Sequence, residues 1–223
     1  MIAFGSQGVY VEEMASRKKT VAKAQPRSRG RQPTFDRGEA VAIALYLFWR
    51  CGYDGVSVAD LTSAIGIAAP SLYHAFGSKA DLYREVLRYY NGMGLSANVL
   101  ADAPTSFEAT RRALEHGIAA VTKKDRPAGC MVSSGMLMTS PDNAELAAEL
   151  RTDRATFRIS LEQRIRRDIE SGVLDAKVDA AGLARFYASV LQGVSVQAID
   201  GATKAELTAV MKNALNAWPA KKD

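Results

Sequence analysis

The sequence predicts an all-α chain of about nine helices, a small N-terminal unit followed by a larger C-terminal one. Three observations carry that prediction. Downstream of Phe35, apolar residues recur at three- and four-residue spacing almost without interruption, the period of helices with one buried face. The interruptions fall on Gly and Pro, which end helices and set turns. No two segments alternate apolar and polar residues as a pair of strands would.

Taken in order, the first helix carries Val41, Ala44, Leu45, Phe48 and Trp49 on one face, with Gly52 at its C-terminal cap position. Ser57, three residues before Asp60, fits a capping box opening a short helix over Val58–Ile65, and Gly66 ends it with positive φ. Pro70 suits the first turn of a third short helix ending near Phe76. Ser78 is the N-cap of a fourth, Lys79 to about Asn91. Five further helices are predicted at Ser106–Lys123, Ala128–Thr139, Asp142–Ser171, Asp179–Ile199 and Lys204–Trp218. Pro104, Pro127, Pro141, Gly172 and Gly201 separate them. No internal repeat is visible.

Composition narrows the function classes. A chain of 223 residues, 48% of them hydrophobic, can bury one or two cores and is not a disordered polymer. Two cysteines, Cys51 and Cys130, make no disulfide scaffold and lack zinc-ligand spacing, so no metal and no cofactor is expected. No apolar run reaches the roughly 18 residues of a membrane span. The start does not read as a secretory signal, because the apolar residues of Met1–Val11 are broken by Gly and Ser and precede the basic run. A cytoplasmic protein with no membrane partner is expected. Met14-Ala-Ser-Arg resembles a second translation start, so the first 13 residues are expected to be dispensable. The net charge of +5 is concentrated: residues 1–35 hold seven basic and two acidic groups, and the remainder is balanced.

The stretch from Ser57 to Lys79 reads physically as a helix-turn-helix. Leu61 and Ile65 give the first short helix its apolar face, Gly66 makes the turn, and Ile67 fills the junction. Leu72 and Phe76 anchor the second short helix, leaving Ala69, Pro70, Ser71, Tyr73 and His74 outward, a surface suited to a major groove. Lys79 is placed to meet a phosphate. Residues 36–90 hold five basic and six acidic side chains, so contacts here depend on local placement rather than on a general positive field.

On these residues the stretch Asp36–Leu87 resembles the DNA-binding domain of the tetracycline-repressor (TetR) family. The shared pattern is Ala64-Ile65-Gly66-Ile67, then Ser71-Leu72-Tyr73-His74-Ala75-Phe76, then Lys79-Ala80-Asp81-Leu82, with Tyr73, Phe76 and Lys79 at a specific three-residue spacing. It covers about 50 of 223 residues. One departure is Thr62, where the family usually has Ala; its hydroxyl must be accommodated where the two helices cross. The resemblance implies a helix-turn-helix DNA-binding domain over residues 35–90, contacting DNA through Ser57, Ala69, Pro70, Ser71, Tyr73, His74 and Lys79. Residues 1–34 are read as a flexible basic arm in which Arg27, Arg29 and Arg31 enter the minor groove, or equally as a solvated tail.

For residues 91–223 the resemblance implies effector binding and dimerisation, with the last two helices forming the interface of a homodimer. Pocket candidates are Met93, Phe107, His116, Met136, Phe157, Leu161, Tyr187 and Gln192. Gly129-Cys130-Met131 opens a helix rich in methionine (Met131, Met136, Met138), and Gly-Cys at this place resembles a subset of the family. Its thiol is a candidate Cu(I) ligand or oxidant sensor. A small buried thiol among packing methionines is the favoured account.

The expected function is a ligand-responsive transcriptional regulator, a repressor that binds a near-palindromic double-stranded operator as a dimer and is released by a small-molecule effector. The alternative is an architectural, nucleoid-type DNA binder without a ligand switch. An enzyme is not expected, since no catalytic cluster or phosphate-binding Gly loop is present.

Overall fold

The computed structural model describes residues 35–93 and 102–219, and no strand occurs among the described residues. The first four helices end where local chemistry ends them. In α1 (Arg37–Cys51) the Asp36 carboxylate accepts from the Glu39 amide at 3.0 Å, and Gly52 stops the helix at φ 72°. In α2 (Val58–Ile65) Ser57 Oγ accepts from the Asp60 amide at 3.1 Å, while the Asp60 carboxylate accepts from the Ser57 amide at 2.8 Å. Two amides that the first turn cannot pair internally are thereby satisfied. Gly66 then turns the chain at φ 80°, ψ 35°, a left-handed conformation that costs a side-chain-bearing residue about 1–2 kcal/mol. α3 (Ala69–Phe76) has Pro70 in its first turn, and α4 (Lys79–Gly92) is capped by Ser78, which accepts from the Asp81 amide at 3.0 Å.

The larger unit follows as α5 (Ser106–Val121), α6 (Met131–Ser134), a 3-10 turn at Pro141–Asn143, α7 (Ala144–Glu170), α8 (Ala180–Ile199) and α9 (Lys204–Asn216). The helix expected over Ala128–Thr139 is a single turn. Gly129 before it lies at φ 81°, with Ile199 and the Ser195 carbonyl too close for a side chain. Gly135 after it is extended, and Met136 has φ 51°. Arg154 Nη1 takes up the carbonyls of Val132 and Gly135 at 3.2 and 2.8 Å, oxygens that a continuing helix would have paired internally. The segment expected as a helix from Asp142 likewise begins as the 3-10 turn before becoming α7.

Two cores organise these elements. The first joins Ala44, Phe48, Leu61, Leu72 and Leu82 of α1–α4, and it does not stop at residue 90. Met131, Met136, Leu146, Ala147 and Leu150 complete it from α6, the turn after it and the start of α7. The second joins Leu114 and Ile118 of α5, Leu161 and Ile165 of α7, Tyr187 of α8 and Leu207 of α9. α7, with 27 residues and so about 40 Å long, contributes one end to each core. A buried polar knot fixes α5 on α7. Asp168, 2% exposed, accepts from both the amide and the hydroxyl of Ser106 and is paired with Arg164. Arg164 in turn donates to the carbonyls of Ala103 and Pro104 at 3.1 and 2.7 Å. Tyr187 Oη donates to the Ala214 carbonyl at 2.8 Å, tying α8 to α9.

Candidate functional site

α3 is held by two buried side chains, Leu72 at 0% and Phe76 at 6% exposure, with the half-buried Ala75 packed beside them. Tyr73 is 47% exposed, Pro70 and His74 are exposed, and Ala69 and Ser71 are half-buried. The five residues expected to face outward therefore share the unanchored side of one short helix. No side chain caps α3, so its first amide is left for an outside acceptor. Ser57 is exposed, and its hydroxyl is committed to the α2 cap. The Thr62 hydroxyl asks nothing of α3: it donates back to the carbonyls of Val58 and Ala59 at 3.0 and 3.1 Å within its own helix.

Lys79 stands at the first position of α4, half-buried, with Nζ 4.1 Å from the centroid of the Tyr53 ring. That ring is itself braced by Phe48 and Tyr83, at 6.0 and 5.1 Å. Burial pushes the Lys79 ammonium below the usual lysine value, and the nearby carboxylates of Asp54 and Asp60 oppose the shift. The lysine is thus pre-positioned rather than swinging freely. Tyr53 is a residue that sequence reasoning missed; its signal is an aromatic one position past the Gly52 cap. Arg37 was missed as well. It donates through Nε and Nη2 to the two oxygens of Glu85 at 3.0 and 2.6 Å, donates to the Ala75 carbonyl, and lies 4.5 Å over the Phe76 ring. It clamps α1, the end of α3 and α4 together.

Two polar clasps bind this unit to the rest. Arg84 on α4 forms a two-pronged pair with Glu149 on α7, Nη2 to Oε1 at 2.7 Å, and also reaches Asp81 at 3.0 Å. The Arg84 guanidinium holds the Glu149 carboxyl below its usual value. Asp54 accepts from Thr139 at 2.6 Å and from Asn143 at 2.8 Å.

Beyond these clasps lies a cavity of about 500 Å³. α4 contributes Tyr90 and Asn91, α5 His116 and Gly117, α7 Asp153 and Phe157, α8 Leu191 and Ser195, and the α6 segment Cys130 and Val132. Of the eight pocket candidates, His116 and Phe157 line it. Leu161 is fully buried in the second core, as is Tyr187, while Met136 belongs to the first core. Phe107 packs on Trp218, and Met93 and Gln192 are exposed. Cys130 is half-buried, and its amide donates to Ser195 Oγ at 2.7 Å. Burial raises the Tyr90 phenol, and the neighbouring Cys130 thiol adds to the shift. The methionines expected beside this thiol are elsewhere: Met131 and Met136 are in the first core, and Met138 is 94% exposed. Among the described residues no group of three or more His, Cys, Asp or Glu comes together as metal ligands would, and no helix is long and apolar enough to cross a membrane. Arg27, Arg29 and Arg31 lie outside the described residues.

Residues 41–86 match the family model described as bacterial regulatory proteins, tetR family. The HTH-type transcriptional repressor ComR of Escherichia coli K12 is 34% identical over 86% of this chain and 93% of its own. The repressor BdcR of the same organism is 37% identical over 58% of this chain and 66% of its own. Among solved structures, a cysteine-substituted variant of the TetR family regulator CifR, complexed with 26-base-pair operator DNA, is 40% identical. It has a TM-score of 0.80 over 85% of this chain and 100% of that one. AibR, in complex with isovaleryl coenzyme A and operator DNA, shares the fold, with a TM-score of 0.60 at 16% identity.

Proposed function

Because the chain belongs to the tetR family of bacterial regulatory proteins, and is therefore a DNA-binding transcriptional regulator, we propose the following division of its surfaces. α3 enters the major groove of a near-palindromic operator with Ala69, Pro70, Ser71, Tyr73 and His74 towards the bases, while Lys79 and the Ser57 end of α2 meet phosphates. The arm with Arg27, Arg29 and Arg31 supplies the positive charge that residues 36–90 lack. α8 and α9 pair with their counterparts in a second copy. Phe186, Val196 and Ile199 on α8 and Val210 on α9 are large apolar side chains at least 44% exposed, the kind of surface that dimerisation covers. The domains are then the arm (1–34), the DNA-binding unit (35–90) and the effector and dimerisation unit (91–223).

The chain acts as a repressor that releases its operator when a small molecule fills the cavity. α4 carries Leu82, Tyr83, Val86 and Leu87 in the first core and Tyr90 and Asn91 on the cavity wall, so an occupant that moves its end also moves the DNA-binding unit. A cavity that touches this helix supports a ligand-switched regulator over an architectural DNA binder.

The observation that carries the function is α3 itself, anchored chiefly by Leu72 and Phe76 and presenting Tyr73 and His74 beside a pre-positioned Lys79. Fluorescence anisotropy with DNA from the chain's own promoter region tests it. A large preference over random DNA at physiological salt, lost in Tyr73→Ala, is the expected result. Equal binding to both DNAs would instead indicate an architectural role.

A further inference from the structure

Among the described residues, Asp153 is the one Asp, Glu, Lys or Arg on the cavity wall, which it shares with His116. Asp153 on α7 lines the cavity, and among the described residues no Lys or Arg does. The nearby cations stand off the wall: Arg154 donates through Nη1 to the Val132 and Gly135 carbonyls while its charge still acts on Asp153, and Arg126 pairs with Asp125 at 3.3 Å. Arg88 lines the adjoining groove between α4 and α7, which Asn91 and Asp153 also border, and is not on the cavity wall. The Asp153 carboxylate is itself under-used. Among the described residues it accepts one long hydrogen bond, from Asn91 Nδ2 at 3.4 Å. A carboxylate has capacity for about four.

Ala113, Gly117, Val121, Val132, Phe157 and Leu191 make most of the remaining wall apolar. An anion entering this space would give up hydration to face a like charge, with no Lys or Arg among the described wall residues to pair with it, which burial penalises. A donor head would instead complete the coordination of Asp153, while its apolar body covers Phe157 and Leu191.

Taking the cavity as the effector site, as proposed above, we propose that the effector is a small, mostly apolar molecule with one hydrogen-bond-donating head, a hydroxyl or a protonated amine, which docks on Asp153. Carboxylates and phosphates, coenzyme A thioesters included, are excluded. Docking draws Asp153 from Asn91 and so releases the end of α4 from α7. The head thereby couples the cavity to the DNA-binding unit through a bond already present.

Three probes of one shape test this on the full chain: benzylamine, benzyl alcohol and benzoate, each titrated calorimetrically and then against the operator complex. The amine and the alcohol are expected to bind and to release operator at millimolar concentration, with benzoate at least about tenfold weaker. Asp153→Asn should weaken benzylamine about tenfold, weaken benzyl alcohol less, and narrow the gap to benzoate. Thermal unfolding and operator affinity of the variant report that it is folded. Asn91→Ala, which removes the tie but not the carboxylate, should retain amine binding. Benzoate binding as tightly as benzylamine, no binding by any probe, or unchanged preferences in Asp153→Asn each overturn the proposal. Operator binding without any probe is measured first. Its absence would count against the regulator function, whereas operator release by benzoate alone would sink only the effector class.

Discussion

Lys79→Gln isolates one charge of the proposed DNA interface. The lysine begins α4, and its ammonium rests 4.1 Å from the Tyr53 ring, so Gln keeps most of the stem's packing while removing the charge. Each protomer then neutralises one phosphate fewer, and the dimer two fewer. At about 0.9 per phosphate, the slope of log affinity against log salt should flatten by about 1.8. The wild-type advantage should then shrink about twelvefold between ~50 and ~200 mM salt, a fourfold change raised to that power. Anisotropy titrations of a labelled operator at four or more salt concentrations read the slope directly. Tyr53→Leu is the companion variant. It keeps the charge and removes the ring beneath it, worth about 0.5–1 kcal/mol per protomer. The ring seats the ammonium in the free protein as well, so affinity should fall by no more than about five- to thirtyfold per dimer, with the slope unchanged. A Lys79→Gln slope equal to wild type would show that the ammonium touches no phosphate and that its seat on Tyr53 is packing alone.

Other consequences separate stability from recognition. Leu72→Ala, at a site with 0% exposure, should cost about 2–5 kcal/mol in urea unfolding, whereas Tyr73→Ala should stay within about 0.5 kcal/mol and still lose the operator. Equal stability losses in the two would contradict the orientation of α3. Asp168→Ala leaves Arg164 and the Ser106 amide without their buried partner and should cost about 3–5 kcal/mol, measured by the same unfolding. A change under about 1 kcal/mol would show the knot to be ornamental. Arg84 holds the Glu149 carboxyl below its usual 4.5, so the clasp's contribution is full above that pH and is lost as pH falls through the lower folded value. Glu149→Gln should therefore unfold with a smaller acid limb below about pH 4.5, and an undiminished limb would place the acid sensitivity elsewhere.

The helices of the DNA-binding unit were legible because their boundaries are written within a few residues. Ser57 with Asp60, Ser78 with Asp81, and Gly66 act through hydrogen bonds and backbone angles three or four positions apart. The outward face of α3 followed from the same arithmetic, since Leu72 and Phe76, four apart, must point together. The single-turn α6 was not legible. Its residues read as helical, and what interrupts them is the approach of Ile199 and the capture of two carbonyls by Arg154, contacts from 70 and 19 residues away. Six of the eight pocket candidates lie off the cavity wall for a related reason. Large apolar residues on helices fill cores as readily as they line cavities, and periodicity alone does not separate the two.

By itself, then, the sequence determined the all-helical class, the helix-turn-helix and the residues that face outward from it, because each depends on short-range geometry that a window of a few residues contains. Only the tertiary structure decided that Met131, Met136 and Leu150 complete the core of the DNA-binding unit, that Lys79 is seated on Tyr53, and that Asp153 lines a cavity with Asn91 beside it. These are meetings between residues up to about a hundred positions apart. The free energy that makes them comes from burying surface in three dimensions, which no local pattern records.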